Sequence, residues 1–174
     1  MAIVFFSLGS NQGDRLGSLV SATKLIGYQV GKLIDFSEVV ETEPWGFDAE
    51  TNFFNQILVV ETQLSPEQVL KTILEIEETL GRVRSGVNYR SRIIDIDILF
   101  YDDKRIELDN LIIPHPLLHK RKFVMQPLCK VAPELIHPVL MASIFGLLSQ
   151  LEDKSSIKIA VAKETFASLL NTKK

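Results

Sequence analysis

The stretch Arg92-Ile93-Ile94-Asp95-Ile96-Asp97-Ile98-Leu99-Phe100 alternates isoleucine with aspartate and is otherwise apolar and rich in β-branched residues. That composition predicts a buried strand over 93–101. Alternate residues of a strand face the same way. Ile94, Ile96, Ile98 and Phe100 are therefore expected on one face, with Asp95 and Asp97 side by side on the other. Two adjacent carboxylates in so apolar a strand repel each other and lose hydration, which is unfavourable unless something compensates. A divalent cation is the simplest compensation, since Mg²⁺ takes one or two carboxylates together with substrate phosphates. Immediately upstream, Arg82, Arg84, Arg90 and Arg92 fall within a short segment that contains no acidic side chain. Their forked donors match phosphate oxygens. Carboxylates and arginines together predict a site for Mg²⁺ and a polyphosphate.

Outward from this strand, the pattern resolves into alternating elements. Residues 2–8 read as a buried strand, and Gly9-Ser10-Asn11-Gln12-Gly13-Asp14 as a turn. Leu16, Leu19, Val20, Thr23 and Ile26 then repeat at helical spacing, with Gly27 as the expected stop. Residues 30–42 read as one long strand and 53–62 as another, joined by a loop from Glu43 to Asn52 that holds Pro44 and Gly46. Ser65-Pro66-Glu67-Gln68 is a helix start: Ser65 at the N-cap, Pro66 at the first helical position, Gln68 closing a capping box. Val69, Leu70, Ile73, Ile76 and Leu80 form the buried stripe, and Gly81 ends the helix. The order is βαββαβ, which predicts an α+β, ferredoxin-like sandwich: an antiparallel sheet with its helices on one face and a site on the other. Short extended pieces at 106–108 and 111–113 suggest an appended ribbon. Helices are expected near 116–131 and 142–151. Residues 157–170 fit either a strand plus a helix or a loosely held tail.

Composition limits the rest. The 174 residues suffice for one domain with a real core, and 46% apolar content suits a globular chain. A net charge of −3 gives no overall attraction to nucleic acid or anionic membrane. Cys129 is the single cysteine, which excludes an intramolecular disulfide and fits a reducing compartment. The start, Met1-Ala2-Ile3-Val4-Phe5-Phe6, lacks the basic region of a signal peptide, and no apolar run approaches the roughly 20 residues of a membrane span. A cytoplasmic monomer is expected, without nucleic-acid or membrane partners.

An ordered set of motifs resembles the 6-hydroxymethyl-7,8-dihydropterin pyrophosphokinase family. It comprises Leu8-Gly9-Ser10-Asn11, Thr42-Glu43-Pro44-Trp45-Gly46, Phe53-Phe54-Asn55, Gly81-Arg82-Val83-Arg84, Arg92 to Leu99, Pro114-His115-Pro116, and Arg121 to Leu128. The resemblance runs over about residues 2–150 of a chain expected to be one domain, with 151–174 an extension that carries none of these motifs. It implies transfer of the β,γ-pyrophosphoryl group of ATP to the pterin's hydroxymethyl oxygen, with release of AMP, in folate biosynthesis. By the same resemblance, two Mg²⁺ ions would bridge the triphosphate and Asp95 and Asp97. Arg82, Arg84, Arg92, His115 and Arg121 would line the nucleotide and phosphate path, with Glu77, Tyr89 and Ile98 also at the nucleotide. The catalytic set would be Arg82, Arg92, Asp95, Asp97 and Arg121. Phe123 would stack on the pterin, Asn55 would hydrogen-bond its edge, Phe53 would form the opposite wall, and Thr42 with the backbone at Pro44 and Trp45 would complete the pocket.

Phe53 and Asn55 share parity on their strand, so both can face one pocket. A flat, donor- and acceptor-rich ring is selected economically by a stacking platform and amide contacts. The family usually reads Arg-Trp-Gly-Pro-Arg before the aspartate strand, whereas this chain reads Asn88-Tyr89-Arg90-Ser91-Arg92, and Phe53 stands where a tyrosine is common. Two other functions fit parts of the pattern. A metal-dependent nuclease would use the same aspartates but needs further acidic ligands that are not evident. An RNA-binding module of this topology needs aromatics interleaved with basic residues on its strands, which are lacking. His115 and His119 have the spacing of a helical metal pair, but Pro116 lies between them and no third ligand stands out.

Overall fold

The computed structural model describes residues 1–44, 51–82 and 92–172. Its elements are β1 (Ala2–Ser10), α1 (Arg15–Gln29), β2 (Gly31–Phe36), β3 (Val39–Thr42), β4 (Phe53–Thr62), α2 (Pro66–Thr79), β5 (Asp95–Tyr101), a hairpin of β6 (Ile106–Leu108) and β7 (Leu111–Ile113), a 3-10 turn at Leu118–Lys120, α3 (Lys122–Val131), α4 (Ile144–Ser149), β8 (Ile157–Val161) and α5 (Lys163–Asn171). The main sheet is antiparallel, in the order β5-β1-β4-β3-β8, with β2 also paired to β4. The α+β architecture and its antiparallel sheet are those expected.

The split of 30–42 into two strands departs from the single strand expected there. Ser37 causes the break. Its N–H donates to Ile57 O (3.0 Å), its Oγ accepts from Ile57 N–H (3.0 Å), and its carbonyl accepts from Gln56 Nε2 (3.0 Å). One buried serine thus satisfies both sides of the interruption, and β2 and β3 pair with opposite ends of β4. Gly27 does not stop α1, which continues to Gln29. The glycine the backbone requires is Gly31, where a Cβ would lie 2.1 Å from Glu61 O. In α2 the expected capping box forms, with Ser65 N–H donating to Gln68 Oε1 (2.8 Å) and Gln68 N–H donating to Ser65 Oγ (3.3 Å). Gly81 follows with φ +91°.

Helices α1, α2 and α5 cover one face of the sheet, where Val4, Phe6, Leu8, Leu58, Ile73, Ile96 and Phe166 form the main core. The other face is not wholly free, as the sequence suggested. α3 and α4 pack over part of it through Leu118, Val124, Met125, Leu128 and Ile144 against Phe5, Ile57, Val59, Leu99 and Phe100. Phe100 therefore lies on the opposite face from Ile94, Ile96 and Ile98, contrary to strict alternation. The cause is a bulge: Phe6 pairs with Ile98 and Phe5 with Phe100, so Leu99 is extra and the side-chain alternation shifts after it. The first C-terminal helix begins at Lys122 rather than near 116, because Arg121 is extended (φ −111°, ψ 104°) between the 3-10 turn and α3.

Candidate active site

The uncovered part of the second face holds a cleft of about 460 Å³. Its floor is the end of the sheet where β5, β1 and β4 lie side by side. In register there, Asp95 faces Gly9 and Gly9 faces Asn55, while Asp97 faces Ser7. Gly9 keeps the floor low: a Cβ there would come within 3.2 Å of Asn55 Oδ1 and 3.7 Å of Phe53. Thr42 and Phe53 close one side, and His115, Arg121 and Phe123 the other. Arg82 and Arg92 stand over the carboxylates. A second cleft of about 400 Å³ adjoins the first and is lined by Glu77, Ile98 and residues of α2 and the β6–β7 hairpin. Arg82, Asp95, Asp97, His115 and Pro116 border both.

The structure thus brings together, around one pair of joined clefts, Thr42, Phe53, Asn55, Glu77, Arg82, Arg92, Asp95, Asp97, Ile98, His115, Arg121 and Phe123. Phe53 and Asn55 face the same cleft, as their parity required. Pro44 lies beside Glu43 at the end of β3 but does not line either cleft. Trp45, Arg84 and Tyr89 lie outside the described residues, as does Arg90. Among residues not expected at the site, Ser7 and Leu117 line the first cleft, and Leu74, Asn110, Ile112 and Leu70, the last expected in the buried stripe of its helix, line the second.

Hydrogen bonds fix several of these groups. Asn55 Nδ2 donates to Thr42 Oγ1 (2.7 Å), which orients the amide. Glu77 is 1% exposed, accepts from Ile96 N–H (2.7 Å) and ion-pairs with Arg82, so it ties α2 to the start of β5. Arg82 and Arg92 each pair with Asp95, one on each carboxylate oxygen. Asn11 holds Arg92 from behind: its Oδ1 accepts from Arg92 N–H (2.8 Å) and its N–H donates to Arg92 O (3.2 Å). This is what the asparagine of Leu8-Gly9-Ser10-Asn11 does, and only the fold reveals it, because the two residues are far apart in sequence. His115 N–H donates to Leu99 O (3.0 Å), and its Nδ1 accepts from Leu117 N–H (3.2 Å).

Electrostatics divides the two carboxylates. Asp95 has its arginine partners. Asp97 is pushed up to about 7, first by loss of hydration in the apolar strand and then by the Asp95 charge, with Arg121 and Arg92 opposing and Glu77 adding to the rise. An aspartate so short of compensating charge, beside another, suits a hard cation. Among the described residues no group of three or more His, Cys, Asp or Glu side chains could hold a metal by itself. Remaining ligands would come from phosphate and water, as Mg²⁺ commonly accepts. A zinc site at His115 and His119 gains no support from this donor set.

His115 is moved the other way, down to about 4, by burial and then by the Arg121 charge. Its ring is therefore neutral at pH 7, and with Nδ1 accepting from Leu117 N–H, the proton resides on Nε2. Between pH 4 and the ordinary value of 6.5 the unfolded chain binds a proton here that the folded chain does not. Stability from this group accordingly falls as pH drops through that window. Titration of the histidine rings by NMR should find His115 unprotonated at pH 5.5; a ring that charges near pH 6.5 would contradict the buried environment described.

The chain that builds these clefts has relatives among known proteins. A 2-amino-4-hydroxy-6-hydroxymethyldihydropteridine pyrophosphokinase of Porphyromonas gingivalis is 42% identical over 141 residues, covering 79% of this chain and 95% of that protein. The enzyme of the same name from Aquifex aeolicus is 38% identical, covering 80% and 86%. The class is thus the pyrophosphokinases, transferases that use ATP as co-substrate on a small molecule. A family model described as 7,8-dihydro-6-hydroxymethylpterin-pyrophosphokinase (HPPK) matches residues 5–133, and the chain belongs to that family. It is a diphosphokinase enzyme of folate biosynthesis. Among solved structures, the Plasmodium falciparum HPPK-DHPS wild-type chain superposes with a TM-score of 0.70 at 21% identity, covering 86% of this chain and 44% of that one. This chain spans less than half of such fused proteins, and no described helix is long and apolar enough to cross a membrane.

Proposed function

We propose that the joined clefts divide the reaction between them, with the pterin in the first and the nucleotide in the second. The observation that carries this is the position of Asp95 and Asp97 on the border common to both clefts. Phe123 offers a face for the pterin ring, Phe53 the opposite wall, and Asn55, oriented by Thr42, an amide for its edge. Pro44 follows Glu43 outside the cleft lining, and Trp45 is assigned to the pterin pocket by the family's motif order alone. In the second cleft Glu77 and Ile98 line the nucleotide path, with Arg84 and Tyr89 assigned to it by the family's motif order alone.

Asp95 and Asp97 are the groups that would hold two Mg²⁺ ions, which supply charge neutralisation to the triphosphate when bound. Arg82, Arg92 and Arg121 provide donors to the phosphoryl oxygens, and neutral His115, which lines the same cleft, carries its proton on Nε2. Arg82 and Arg92 pair with Asp95, and their donors would be available to the nucleotide if Asp95 held a cation instead. Transfer of the β,γ-pyrophosphoryl group needs in-line positioning and charge cancellation more than covalent participation, and no general base is invoked. Incubation with Mg²⁺, ATP and 6-hydroxymethyl-7,8-dihydropterin should give pterin-dependent AMP. ADP or free phosphate in its place would overturn the proposal. We further infer a cytoplasmic enzyme whose clefts are complete within one chain, so that activity per molecule does not change with dilution.

A further inference from the structure

We propose that residues 151–171, which lie beyond the family match, form a strap that positions the two walls of the pterin cleft, with Asp153 as its fastening residue. This rests on the assignment of the first cleft to the pterin. At one end of the strap, Asp153 Oδ2 accepts from Lys122 N–H (3.1 Å) and Oδ1 from Ser155 N–H (2.9 Å), while Lys122 Nζ donates to Ser155 O (2.8 Å). Lys122 is the first residue of α3, and α3 has no side-chain cap of its own. A remote carboxylate therefore does the capping, at the position where a helix's free N–H groups and positive pole most favour one. Arg121 and Phe123 flank Lys122 on either side, and both line the cleft.

At the other end β8 pairs antiparallel with β3 through Thr42↔Ile157, Glu41↔Lys158 and Val40↔Ile159. Thr42 is the residue that orients Asn55. Without β8, the four-residue β3 would be an edge strand held from one side only. The strap itself is anchored far from the cleft. Phe166 is fully buried in the main core and meets Phe36 with ring centroids 5.6 Å apart, and Lys163 pairs with Asp35 (2.5 Å). One continuous segment thus joins the Phe123 wall to the Thr42–Asn55 wall and sets the gap a flat ring must enter. Asp153 touches no reacting group in this arrangement; it acts through Lys122.

The test is steady-state kinetics of Asp153→Ala and Asp153→Asn, with KM for the pterin and for ATP measured separately and thermal melts run in parallel. Asp153→Ala should raise the pterin KM about tenfold, the scale of a lost helix cap. The ATP KM should stay within about twofold, because the second cleft touches neither end of the strap and Arg121, which does adjoin one end, is expected to act mainly on kcat. Asp153→Asn, which keeps one accepting oxygen, should fall between Ala and the parent. Should the alanine variant not fold, the asparagine variant reads the same ratio. An unchanged pterin KM, or equal rises for both substrates, would overturn the strap. A parent enzyme with no pterin-dependent AMP would instead overturn the assignment of the cleft.

Discussion

Asp97→Asn should be more stable than the parent above neutral pH and almost inactive. Both halves follow from one side chain. The carboxyl of Asp97 is raised from 3.8 to about 7, so between those values the folded protein keeps a proton that the unfolded chain has released. Stability of the metal-free parent therefore falls as pH rises through that window and is lowest above it. An amide of the same shape has no charge to bury. Because the residue borders an open cleft, the benefit is discounted to roughly 1–2 kcal/mol at pH 8, typical of relief at a functional site. The gain should shrink as pH falls toward 4, where the parent is itself protonated. Activity moves oppositely: loss of one of the two carboxylates proposed to hold the cations should cost on the order of 10³-fold or more in rate. Denaturant unfolding in EDTA at pH 8 and pH 4.5, with AMP formation alongside, checks both. An asparagine variant that is less stable at pH 8, or that keeps a tenth of the activity, would contradict the role given to Asp97.

Arg121→Ala is the second large effect, on the order of 10³-fold in rate by analogy with other phosphate-clamping arginines. Arg121 stands extended just ahead of α3, and its charge is felt by both Asp97 and His115. Its guanidinium lies 5.8 Å from the Phe123 ring centroid, so the proposed phosphate path and the proposed pterin wall adjoin there. Charge on transferring oxygens grows toward the transition state, so the loss should appear mainly in kcat, with KM values changed less. Lysine should recover only part, since it restores the charge without the fork. Removal of Arg121 also takes away one cause of the low His115 value, so that ring should protonate at a higher pH in the variant. An Arg121→Ala enzyme within tenfold of the parent would remove this residue from the phosphate path.

Local chemistry made much of this legible in advance. Ser65 and Gln68 announce their capping box, Asp95 and Asp97 their shared face, and Phe53 and Asn55 their common pocket, because each depends on spacing within one element. The misses depend on a second strand or segment. Whether Leu99 is an extra residue is decided by its pairing to β1, and the break at Ser37 by hydrogen bonds to β4. Asn11 is unremarkable until Arg92 is folded beside it. Residues 157–170 have too weak a pattern to choose between strand and tail; what chooses is the edge of β3 and the core space that Phe166 fills. Phe100 lies on the face opposite to the one alternation predicts for the same reason: alternation is a rule of single strands, and the bulge belongs to a pair.

The placement of β8 also bears on how the protein is made. A ribosome delivers β3 long before residues 157–171, so the nascent sheet ends at Val39-Val40 with its outer hydrogen-bonding groups open. Such an edge invites pairing with other chains until it is covered. Chaperone demand and aggregation during synthesis should therefore be concentrated in the interval before β8 and α5 emerge.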